Sequence, residues 1–101
     1  RTQLKRPVNR RDDLRRYVKM QTAHAIEAFV SAVRSRTSAP NMCEYACVAL
    51  CSLAVNDANH PKLREANAIE ALVIAMRAHP SNPSVCEHAC AALLLLGSDE
   101  E

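Results

Sequence analysis

Five cysteines are the residues of this chain best suited to chemistry, and they fall into two groups: Cys43, Cys47 and Cys51, then Cys86 and Cys90. Within each group the spacing is four, which on a helix sets the side chains along one face. Four thiolates at equivalent places in two adjacent helices could hold a tetrahedral zinc ion. Cysteine is also a small, weakly polar residue suited to helices that pack closely. The second reading is the better one here, because Cys-x-x-x-Cys on a continuous helix is wider than the usual zinc spacing. No metal and no other cofactor is expected. Side chains pointing the same way are poorly placed for a disulfide, and the cysteine count is odd. A reducing intracellular compartment follows, cytoplasmic first, with a mitochondrial location as the alternative.

The four histidines, His24, His60, His79 and His88, are scattered. His88 and Cys86 would suggest a base beside a nucleophile, but two residues apart on a helix they face different sides. His60-Pro61 and His79-Pro80 read as loop residues. One glycine, Gly97, leaves no phosphate-cradling loop. The chemistry points away from an enzyme and a small-molecule substrate, toward binding.

The elements that position these residues come from an internal repeat. A shift of 43 residues lays Lys19–Ala54 on Lys62–Gly97 without a gap, and 18 of the 36 pairs are identical. Ala25-Ile26-Glu27-Ala28 matches Ala68-Ile69-Glu70-Ala71, and Cys43-Glu44-Tyr45-Ala46-Cys47 matches Cys86-Glu87-His88-Ala89-Cys90. A period of this length marks a helical repeat. Composition agrees: 49% of residues are hydrophobic and 24% charged, with three aromatics and abundant helix formers. Ile26, Phe29, Val30 and Val33 form one apolar stripe at helical spacing, matched by Ile69, Leu72, Val73 and Met76. Pro40 and Pro83 mark the next helix starts, with Asn82 as a cap. Those helices run about Asn41 to Ala54 and Ser84 to Leu96. A shorter helix precedes each pair, about Asp12 to Thr22 and Asn59 to Ala66. His24 and Asn67 fall at the bend that follows, where φ turns positive, and Gly97 is placed to end the last helix with positive φ.

Three helices per unit in this order, with Glu65-Ala66-Asn67-Ala68-Ile69-Glu70-Ala71-Leu72-Val73 and an Ala89-to-Leu96 run, resemble the armadillo repeat. The resemblance covers about residues 11–97. It implies an all-α, right-handed α-α superhelix of about six helices in two three-helix units. A basic arm is expected at 1–10, repeats at 11–54 and 55–97, and an acidic tail at 98–101. The family's third helices line a groove that grips partner proteins, which implies groove positions Glu44, Val48 and Ser52, with Glu87, Ala91 and Leu95. Family members that read basic peptides commonly carry Trp and Asn where this chain has Val48 with Ser52 and Ala91 with Leu95. The groove is instead small and apolar, suited to a helix.

Net charge is +2, but residues 1–19 carry +6 and the remainder −4. Arg1, Lys5, Arg6, Arg10, Arg11, Arg15 and Arg16 make the front a basic arm that suits an anionic surface. With only Tyr17 nearby as a stacking aromatic, a nucleic-acid-binding solenoid ranks below protein binding. The first residue is not Met, so a processed product or an excised piece is expected. The Arg-rich start fits a linker first and the remnant of an organellar cleavage site second. No apolar run reaches the ~20 residues of a membrane span. Glu27 with Glu70, Glu44 with Glu87 and Arg34 with Arg77 recur at the period, as charged rows on a solvated face. Two units are fewer than the three usually needed for independent stability. Leu93 to Leu96 point in every direction around their helix, so one must face outward. The expected role is a non-catalytic protein–protein interaction module, with a structural subunit of a large, organellar or other, assembly as the alternative.

Overall fold

A computed structural model describes residues 10–98, without the side chains of Arg10, Arg15, Val18 and Lys19. Arg1, Lys5 and Arg6 of the basic arm and residues 99–101 of the acidic tail lie outside the described residues. The described chain is all-helical, with no strand among these residues. It comprises α1 (Arg10–Ser35), α2 (Pro40–Ala54), a 3-10 turn (Asp57–Asn59), α3 (His60–Glu65), α4 (Ala68–Ala78) and α5 (Pro83–Gly97). None of the described helices is long and apolar enough to cross a membrane.

The second unit has the three helices expected, and Asn67 makes the bend between α3 and α4 with φ at 64°. The first unit does not bend. Its two expected helices are one continuous helix, α1, which runs straight through His24. The physical reason is local. A left-handed residue costs about 1–2 kcal/mol unless it is Gly, Asn or Asp. The second unit also has Pro61 to open its short helix, where the first has Val18. Gly97 departs from expectation too. It is the last residue of α5, no glycine has positive φ, and Ser98 continues in right-handed geometry.

Helix ends are closed by the loops between them. Thr37 Oγ1 donates to the Val33 and Arg34 carbonyls at the end of α1. Asn82 Oδ1 accepts from Val85 N–H at 3.1 Å and so caps α5 as expected. Ala39, its counterpart before α2, offers no side-chain cap, and Pro40 alone sets that start.

The core is one continuous cluster. Ile26, Val30 and Val33 of α1 meet Ala68, Ala71, Leu72 and Ala75 of α4. Cys43, Ala46, Cys47, Leu50 and Ala54 of α2 meet Val85, Ala89, Ala92 and Leu96 of α5, the most extensive pairing in the molecule. Small residues, Ala46, Cys47, Ala89 and Ala92, are buried on both helices. The first half of α1 buries little: Leu14, Tyr17 and Met20 are each more than half exposed.

Two substitutions test this backbone. Asn67→Gly should leave the thermal midpoint unchanged or raise it, whereas Asn67→Val should destabilise by about 2 kcal/mol, because a β-branched residue resists the left-handed region. Gly97→Ala should stabilise by about 0.5–1 kcal/mol, since a Cβ there meets no atom within 4 Å and the residue is already helical. Urea titrations followed by circular dichroism measure both.

Candidate functional site

The repeated cysteines serve structure in a specific way. Cys43 Sγ lies 3.6 Å from the Thr37 carbonyl and 3.8 Å from that of Arg36, in the turn that ends α1. One period later, Cys86 Sγ lies 3.5 Å from the His79 carbonyl and 3.6 Å from that of Pro80. Each thiol donates to the loop that leads into its own helix, which ties loop to helix in both units. Cys47 is buried, and burial first, then the neighbouring Cys43, Cys86 and Cys51 thiols, push its pKa up to about 11. Burial also raises Cys43. These thiols stay protonated at neutral pH, the opposite of what a nucleophile needs. All five cysteines are free, and no three His, Cys, Asp or Glu side chains among the described residues converge as a metal-ligand set.

The charged rows are not equivalent in the two units, because neighbours use them. Arg34 of α1 pairs with Glu70 of α4 at 2.6 Å, across the boundary between units. Asn82 Nδ2 donates to Glu44 Oε2 at 2.9 Å, also across that boundary. Glu44 is therefore half-buried and occupied, while Glu87 is exposed. Val48, Ser52 and Ala91 are exposed along the same rows, with Leu95 half-buried. An open cleft lies beside this surface, between the loop joining α4 to α5 and the start of α2, lined by Pro40, Glu44, His79 and Asn82.

Two histidines read as loop residues turn out to hold the units together. His60 is 1% exposed and is the one buried polar residue among those described. Its Nε2–H donates to the Ala54 carbonyl at the end of α2, at 2.7 Å. His79 Nε2–H donates to the Thr37 carbonyl at 2.6 Å. The signal for both was present in the repeat, as a mismatch. His60, His79 and Asn82 stand opposite Tyr17, Arg36 and Ala39, so three of the residues that reach back to the first unit sit where the repeat is broken. Of the basic arm, Arg11 and Arg16 are exposed on α1. Arg10 and Arg15 lie on the same helix, with side chains outside the described set.

The second unit's Leu93 to Leu96 divide as helical geometry demands. Leu96 is buried, Leu93 and Leu95 are half-buried, and Leu94 is 75% exposed. Comparison with models of known protein families, with curated proteins and with solved structures finds no match.

The thiol geometry predicts an order of reactivity. Toward a thiol reagent at neutral pH, exposed Cys90 should react first, Cys51 and Cys86 more slowly, and Cys43 and Cys47 only after unfolding; mass mapping of the labelled residues reads this. Alkali should also weaken the fold. Cys47 gives up its proton near 9.0 when unfolded and near 11 when folded, so between those values the folded state holds the extra proton. Stability is then complete below pH 9 and falls as pH rises toward 11, by on the order of 2–3 kcal/mol. Cys47→Ala should flatten that slope in chemical denaturation.

Proposed function

We propose that this chain is a non-catalytic protein-interaction module, a short stretch of right-handed armadillo-type solenoid whose α2 and α5 present a small, apolar binding surface. The observation that carries this reading is the row of Val48, Ser52 and Ala91. All three are exposed on the two helices that also form the centre of the core. A rigid support with small side chains facing outward suits an apolar helix laid across it. Glu87 and Tyr45, also exposed, supply a polar edge. Cysteines held protonated by burial support a structural role for the repeated thiols. The uncovered Leu94 and the exposed first half of α1 favour a second reading, a structural subunit of a multi-protein assembly.

A groove variant separates these readings. Val48→Glu with Ala91→Glu places two charges on exposed positions and should leave helicity and melting temperature unchanged. Capture of the native partner by the immobilised chain should fall by about tenfold or more. If the double variant recovers the same protein as the wild type, binding does not run through this row.

A further inference from the structure

Each unit shows what its neighbour covers, because many register-equivalent residues are identical and differ only in whether another unit lies over them. Ile26, Cys47 and Leu50 are fully buried, whereas Ile69, Cys90 and Leu93, the same residue types one period later, are partly or fully exposed. These define the trailing face of a unit, sealed in the first and open in the second. The reverse set defines the leading face. Ala71, Ala92 and Val85 are fully buried in the second unit, whereas Ala28, Ala49 and Met42 in the first are partly or fully exposed. The described residues thus carry two exposed apolar faces of the kinds that already fit each other once, inside the molecule.

The charges repeat the same logic. Arg34 at the edge of α1 pairs with Glu70 at the edge of α4 at 2.6 Å, across the boundary between units. Their period mates are Arg77, exposed on α4, and Glu27, exposed on the edge of α1 that also carries Arg34, where it lines a cleft with Lys62 and Glu65 of α3 and with Ala66 just after it. Both are exposed, and neither makes an ion pair among the described residues. One translation would bring Arg77 of one molecule against Glu27 of the next.

We infer that a second copy of this chain docks head to tail, its α1 second half and α2 against the α4 and α5 trailing face of the first, with Arg77 facing Glu27. This rests on the repeat architecture proposed above but not on the groove. The chain carries both halves of the contact, a complementarity that an unrelated partner would have to reproduce by coincidence. The straight α1 confines the contact to its second half, since no bend at His24 folds a short helix over the seam. Such an interface joins two different surfaces, so it is not satisfied at the dimer and adds further copies in a row.

Sedimentation velocity in a thiol reductant, which removes any disulfide through Cys90, tests this on the intact chain. The wild type should grow past the dimer as concentration rises. Cys90→Arg blocks the trailing face and Met42→Arg the leading face, both at exposed positions. Each variant alone should be a monomer with wild-type helicity, and an equimolar mixture should form a dimer and stop there. Arg77→Glu and Glu27→Lys give a second route through solvent-facing residues: each alone should weaken association several-fold, and mixing them should restore one complementary contact. A wild type that stays monomeric at every soluble concentration overturns the inference. So does a mixture that fails to dimerise, or a single variant that still associates. A monomeric wild type whose partner capture is still lost in the Val48→Glu, Ala91→Glu variant would sink the stack and leave the groove standing.

Discussion

Cys43, Cys47, Leu50 and Ala54 lose all contact with solvent because α5 lies across α2, and the rest of the molecule depends on that pairing. Neither helix is strongly one-sided in sequence. Each is apolar around much of its circumference, and a single unit could bury only one of those sides. Two such helices laid together each hide one face and leave another open. Small side chains suit the contact: Ala46, Cys47, Ala89 and Ala92 hold little bulk, which favours close packing and many dispersion contacts.

Polar groups then fix the register of that packing rather than its strength. Burial of apolar surface has no direction of its own, and two similar helices could slide by a turn without losing much area. The Arg34–Glu70 pair, the Asn82–Glu44 bond and the His60 and His79 bonds to carbonyls each join the second unit to the first. His60 matters most, because it is buried and satisfies a carbonyl at the end of α2. Displacing α3 from the end of α2 would leave that group without its partner, at a cost of about 1–3 kcal/mol. The exposed ion pair contributes less on its own.

These features bear on how the thiols are to be understood. Cysteines recurring at a fixed period invite thoughts of metal or redox chemistry. Here Cys43 and Cys86 do the same job in successive units, donating weakly to the carbonyls of the preceding loop. Cys47 and Cys90 share a position but not an environment: one lies under α5 and the other faces solvent. The same residue at the same place in the repeat is buried in one unit and accessible in the other, because burial is set by the covering helix and not by sequence.

The 43-residue self-similarity, the apolar stripes, Pro83 after the capping Asn82 and the turn-forming Asn67 were enough to determine an all-helical chain, its second unit and most helix ends, since helical periodicity and capping are local properties. The outward-facing leucine followed from geometry alone. Three things were decided by tertiary structure. The first unit stayed straight, because no residue near His24 favoured a bend and no helix lay over Tyr17 and Met20 to require one. His79 became a bond between units, because only packing brings it back 42 residues to the end of α1, and His60, six residues beyond Ala54, was buried against the end of α2 by the same packing. Identical residues diverged in exposure, because burial belongs to the neighbour that covers a side chain and not to the side chain itself.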